Sequence, residues 1–246
     1  MFSLTEIKEL AKICIEKNIP LFVDEVYSRM TYEKPHIHIA SLEGMAELTF
    51  TADSISKRFG DPGDRTGWLI APTKKDAEQL VPIHDKTVVG APHRIQDPVG
   101  ITLLMASGMS FSQAIRLGSY ELEDFEAANP QIPSDYYKAV NEGCINRARM
   151  LLEALRECGY DGIEEPEGSY YLWPRLPKDC RVPTAVDLYE TARWHMEDVG
   201  VAVVPGVVFG PNDSNSDWGN RIRLSAGRAD KVVKKAAENL GKYWKC

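Results

Sequence analysis

Within its first 24 residues the chain places a capped amphipathic helix before a short apolar run that ends in an acid, and this order restricts the fold most. Ser3 and Glu6 form a capping box, with Phe2 and Ile7 at the positions of a hydrophobic staple, so a helix is predicted from the first residues. Ile7, Leu10, Ala11, Cys14 and Ile15 follow the i, i+3, i+4, i+7, i+8 stripe of a helix with one buried face. Pro20 to Asp24 then reads as a buried parallel strand. Leu48 to Ala52 and Gly67 to Ala71 repeat the type. Alternation of this kind argues for an α/β layer.

Composition narrows the function classes. Lys and Arg number 29 against 36 Asp and Glu, giving a net charge of −7 and an isoelectric point near 5.4, which argues against a basic nucleic-acid-binding face. Hydrophobic residues at 43% and charged residues at 26% match ordinary globular usage. The longest uncharged stretch, Pro98 to Ile115, carries too many hydroxyls, glycines and amides for a bilayer span. Glu6 and Glu9 stand where a secretory signal needs a basic start and an apolar run. Five scattered cysteines without a Cys-x-x-Cys pair read as reduced thiols, and a cytoplasmic location is expected.

Farther along, Pro72 to about Ser119 carries mainly helical signals, and the proline-rich break Ala127 to Pro133 marks a domain boundary. A long helix is predicted from Ser134 to Cys158, its face formed by Tyr137, Val140, Cys144, Ala148, Leu151 and Leu155, with Gly159 just past its end. A smaller unit of alternating elements follows. It contains strands at Gly168–Trp173, Val201–Val204 and Arg221–Ser225, a helix from about Ala185 to Met196, and a basic final helix.

Several residues have the character that chemistry requires. In open α/β sheets ligands sit outside the carboxyl ends of the strands, so Asp24 is placed to reach one. By itself it reads equally as a cap. The loop from Ser54 to Trp68 is rich in hydroxyls and glycine and carries Lys57 and Arg65, a set that can surround a phosphate with short donors and one guanidinium fork. His36 and His38 form an H-x-H for which no carboxylate or cysteine is spaced in sequence as a companion, so a loop or strand pair is expected there and no metal site.

Taken together, V-D-E-V-Y at Val23–Tyr27, S-I-S-K at Ser54–Lys57 and D-R-T-G-W at Asp64–Trp68 carry a resemblance. They are followed by E-P-E-G-S-Y-Y-L-W, V-A-V-V-P-G-V-V-F-G and R-I-R-L-S. In order and approximate spacing the chain resembles the class I and II aminotransferases of the aspartate aminotransferase fold, which use pyridoxal 5′-phosphate (PLP). The resemblance implies that Lys57 bonds the cofactor aldehyde, Asp24 partners the pyridine nitrogen and Tyr27 donates to the phenolic oxygen. It assigns Ser54, Ser56 and Arg65 to the phosphate, and Arg223 to the substrate α-carboxylate, with Arg221 a solvated neighbour.

The chemistry of these residue types agrees. A buried acid keeps a pyridine nitrogen protonated, a lysine near other cations such as Arg58 and Arg65 can bond an aldehyde and later act as a base, and a planar guanidinium grips a carboxylate bidentately. An α/β PLP-transferase fold is therefore expected, with residues 1–132 as the C-terminal part of a large PLP-binding domain and 133–246 as a small domain. The resemblance also implies that the N-terminal half of the family fold is missing, and with it several sheet strands. Unpaired edges and apolar faces are then expected to be exposed. The leading expectation is amino-group exchange between an α-amino acid and a 2-oxo acid by a homodimer. A PLP-dependent lyase or aminocyclopropane carboxylate synthase of the same fold, or a non-catalytic interaction module, are the alternatives.

Overall fold

In the computed structural model, residues 1–111, 113–114, 135–177, 190–210 and 217–244 are described. The chain divides into two compact units, Met1–Tyr137 and Lys138–Cys246.

The first unit opens with helix α1 (Leu4–Lys17), and the capping box is formed: the Ser3 hydroxyl accepts the Glu6 N–H while Glu6 accepts the Ser3 N–H at 2.7 Å. Asn18 closes the helix in the left-handed region at φ 49°, where a short polar side chain is tolerated. Phe2 is 75% exposed, so the expected staple does not form. Ile7 instead turns into the core with Ala11, Cys14, Ile39 and Met45. Strands β1 (Leu21–Asp24), β2 (Thr49–Ser54) and β3 (Gly67–Ile70) make one sheet in that order.

β1 and β2 run parallel as expected, but β3 runs antiparallel to β2. The two strands are joined by α2 (Ile55–Arg58) and the loop after it, and Gly67 returns to pair with Ser54. Leu21 and Val23 face the core under α1. Phe22 stacks flat on Phe50 at 4.3 Å between centroids on the other face. That face is open: Phe22 is 65% and Leu69 43% exposed. Helices α3 (Lys74–Thr87) and α4 (His93–Ala106) follow. The expected break at Ala127–Pro133 lies outside the described residues.

Helix α5 (Tyr136–Glu157) leads into the second unit and buries Cys144, Ile145, Ala148, Leu151, Leu152 and Leu155. Its end is a Schellman closure: Tyr160 N–H reaches the Leu155 carbonyl at 3.0 Å and Gly159 N–H reaches that of Arg156, with Gly159 at φ 81°. Strands β4 (Tyr171–Leu172), β5 (Val204–Pro205) and β6 (Ile222–Ser225) form an antiparallel sheet ordered β4-β6-β5. Ile222 and Leu224 join the α5 stripe in the core, and α7 (Asp230–Trp244) adds Val233 and Leu240. Between the sheet's strands lies α6 (Glu190–Trp194), continued by a π-helical turn over His195–Val199. The part of that expected helix before Glu190 lies outside the described residues.

Candidate active site

Asp24 is the last residue of β1 and pairs in register with Ala52, and the next residue's N–H donates to the Ala52 carbonyl at 2.9 Å. Ser54 is the last residue of β2. Its hydroxyl accepts the Ser56 N–H at 3.2 Å, which turns the chain directly into α2, and Ile55, 3% exposed, anchors that turn. Lys57 is thereby presented one turn beyond the strand end, with its Nζ 5.7 Å from the centroid of the half-buried Tyr27 ring. Alternation puts Asp24, Ala52 and Ser54 on one sheet face.

The other side of the site comes from the loop before β3. Ile55 N–H donates to the Thr66 carbonyl at 3.2 Å, and Gly67 pairs with Ser54 so closely that a Cβ would lie 2.9 Å from the Asp53 carbonyl oxygen. Only glycine fits there. Arg65 adopts φ 49°, a left-handed backbone that costs a non-glycine residue on the order of 1 kcal/mol. Its Nη1 donates to the Pro62 carbonyl at 3.0 Å. Asp24, Tyr27, Ser54, Ser56, Lys57 and Arg65 thus gather at one end of one sheet. Among the described residues no cation pairs with Asp24 and no carboxylate pairs with Arg65.

Three expectations need correction. Asp24 is exposed, not buried, because it shares the open sheet face with Phe22. Arg58 does not lend its charge to Lys57: its Nε donates to Asp53 at 2.9 Å, and its guanidinium lies 5.7 Å from the Trp68 ring, on the opposite face. Arg221, in the second unit, is not solvated. Its Nε donates to Asp217 at 2.6 Å and its Nη1 to the Trp173 carbonyl at 2.9 Å, while Asp217 also takes Arg175 at 3.0 Å. Hydrogen bonds from Arg175 and then Arg221 hold the Asp217 carboxyl below its ordinary range.

Arg223, two residues on, is different. Its guanidinium lies 4.3 Å from the Tyr171 ring centroid and 4.9 Å from that of Phe209, and among the described residues no carboxylate pairs with it. Two aromatic faces hold the cation by cation–π attraction while its donor edge stays available for an anion. Strand alternation separates the arginines from Ile222 and Leu224, which point into the core.

Sequence reasoning missed two groupings in the first unit. The Tyr136 hydroxyl donates to the Phe59 carbonyl at 3.2 Å, and Phe59, Tyr136 and Tyr137 form a ring cluster capped by Arg29, 5.5 Å from the Tyr137 ring. Burial first, and then the charge of Tyr137, raise the Tyr136 phenol above its ordinary value, so it stays a donor fixing the chain two residues after Lys57. The second grouping gives His36 and His38, which lie in a loop as expected, a companion that the spacing did not show: the carboxylate of Glu25 lies against both rings.

The family model described as aminotransferase class I and II matches residues 1–240. Mouse kynurenine–oxoglutarate transaminase 1 is 26% identical over 259 residues, covering 100% of this chain and 54% of that protein. The solved structure of an aromatic aminotransferase from Pyrococcus horikoshii OT3 superposes with a TM-score of 0.71 at 23% identity, covering 100% of this chain and 56% of that one. A PLP-bound protein from Clostridium difficile 630 gives a TM-score of 0.69 at 17% identity, covering 99% and 55%. The chain spans about half the length of the curated relatives it matches.

Proposed function

The chain belongs to the class I and II aminotransferase family, and we propose that it carries the lysine half of a PLP site that moves an amino group between an α-amino acid and a 2-oxo acid. Residues 1–132 are read as the C-terminal part of the large PLP-binding domain and 133–246 as the small domain. The observation that carries the reading is the gathering of an acid, a lysine, a phenol, two hydroxyls and a guanidinium at one sheet end, with neither Asp24 nor Arg65 in an ion pair among the described residues.

That donor set fits a phosphorylated pyridine aldehyde charge for charge. Ser54, Ser56 and Arg65 would hold the phosphate, Asp24 the protonated ring nitrogen, Tyr27 the phenolic oxygen, and Lys57 the aldehyde carbon as a covalent bond. When bound, PLP supplies an electron sink for negative charge at the substrate α-carbon.

Chemical work by the protein then falls to three side chains. Arg223 would take the substrate α-carboxylate, as the family resemblance implies, with two parallel N–H donors. Lys57 Nζ would bond the aldehyde and, when free, would take the proton from the substrate Cα as a general base. Asp24 would face the pyridine nitrogen and keep that nitrogen charged. A homodimer and a cytoplasmic location complete the reading, with small-molecule partners and neither nucleic acid nor membrane. No described helix is long and apolar enough to cross a membrane.

Incubation of the chain with PLP, an α-amino acid and a 2-oxo acid tests the activity. The reading expects the new amino acid derived from the acceptor, lost in Lys57→Ala. Pyruvate and ammonia, or a cyclopropane product, formed without an acceptor would assign a lyase or synthase instead.

A further inference from the structure

We infer that Glu25, His36 and His38 form a binding site for one divalent first-row metal ion of the zinc class. The Glu25 carboxylate is 4% exposed, and a buried charge needs a compensating partner. Each of its oxygens faces one imidazole: His36 Nε2 lies 3.0 Å from Oε1 and His38 Nδ1 lies 2.5 Å from Oε2. One ligand atom from each residue lies within 4.8 Å of the others. Two ligands of a tetrahedral zinc ion, each about 2.0–2.2 Å from the metal, stand roughly 3.3–3.6 Å apart, so small side-chain movements would admit an ion.

The orientation of His36 points the same way. Its Nε2 is shielded from solvent and has no hydrogen-bond partner, although Oε1 is only 3.0 Å distant. The ring nitrogen and the carboxylate approach each other out of hydrogen-bond line, as two ligands do around a third atom. Two imidazoles and one carboxylate suit zinc and its first-row neighbours, and disfavour the all-oxygen ions calcium and magnesium.

The backbone holds this arrangement in place. His36 and His38 are separated by Ile37, which packs on the α1 core, so extended alternation sends both rings to one side. Their centroids are 4.7 Å apart, edge to face. The His38 carbonyl accepts the Ser41 N–H at 2.9 Å and its hydroxyl at 2.7 Å, tying that segment to the turn at Ile39–Ser41. The His38 side chain is 48% exposed, which gives an ion a way in and leaves water the remaining coordination positions. Glu25 follows Asp24 directly, yet the site uses none of the proposed PLP-binding residues and stands independently of them.

The experiment uses the full chain without a polyhistidine tag, stripped by a chelator and titrated with Zn2+ by calorimetry. Co2+ serves as a spectroscopic substitute. One ion per chain is expected, together with the intense visible absorption of low-coordinate Co2+ and a rise in Tm on adding Zn2+. His38→Ala, at the exposed ligand, should keep the circular dichroism of the parent, weaken binding at least tenfold and abolish the rise in Tm. Glu25→Gln gives the second test at a conserved shape. No saturable binding, or equal affinity in the parent and a folded His38→Ala, would overturn the site and leave a proton-mediated ion pair in its place.

Discussion

Acidification from about pH 7 to about pH 5 should weaken the second unit through one side chain, His195. This ring is fully buried, with Nδ1 2.6 Å from the Thr191 carbonyl oxygen and Nε2 2.8 Å from the Tyr160 hydroxyl. A carbonyl only accepts, so Nδ1 carries the hydrogen and Nε2 accepts from Tyr160. Protonation would force a second N–H against the phenol in a fully buried site. Burial pushes the imidazole down from 6.5 to about 4, outweighing the raising effect of the Thr191 carbonyl. Between those two values the unfolded chain binds the proton and the folded one does not, so stability is full above 6.5 and falls as the pH drops toward 4. The whole drop is worth about 3 kcal/mol, of which about 2 is expressed at about pH 5.

Urea unfolding at a series of pH values, followed by tryptophan fluorescence, measures this, since Trp194 lies 4.6 Å from the His195 ring between centroids. His195→Gln is the control, because it cannot be protonated. It should lose about 1–3 kcal/mol at neutral pH from loss of the buried hydrogen bond between the ring and the Tyr160 hydroxyl, yet lose little more on going to about pH 5. Carboxyls held low by partners, Asp217 and Glu165 among them, lose their contribution only under stronger acid. Parallel loss of stability in the parent and His195→Gln over the upper range would refute the reasoning.

Gly206→Ala should destabilise the second unit by about 1–3 kcal/mol, read from the urea midpoint, because a Cβ there would lie 2.2 Å from the Trp218 carbonyl oxygen and 2.8 Å from that of Arg221. The two arginines of β6 should separate cleanly. Arg221→Ala should lower Tm by several degrees, since it removes one of the two arginines on Asp217 and takes the Nη1 donor from the Trp173 carbonyl, whereas Arg223→Ala should leave Tm nearly unchanged and raise KM for the amino acid about tenfold or more.

Local signals were legible wherever one residue decides one bond. The Ser3–Glu6 box, the α5 stripe with its Gly159 stop, and the strand-end placement of Asp24 all follow from spacing alone. Tertiary pairings were not. The contact of Arg58 with Trp68 depends on β3 returning antiparallel beside β2, and nothing in Gly67–Ile70 states its direction. Arg221 and Arg223 alternate identically in sequence, yet only the former meets Asp217, which lies on the preceding turn. Glu25 sits 11 and 13 residues before its two histidines, a separation with no period, and only folding of the intervening loop brings the three together. The exposure of Asp24 reflects what lies over its sheet face, which no local pattern records.

The central claim is that Lys57 bonds the PLP aldehyde. Borohydride reduction of the PLP-loaded chain, followed by peptide mass mapping, tests it most directly. The account predicts one covalent pyridoxyl group, on Lys57 and absent from Lys57→Ala. Modification spread over surface lysines, or unchanged by that substitution, would contradict it.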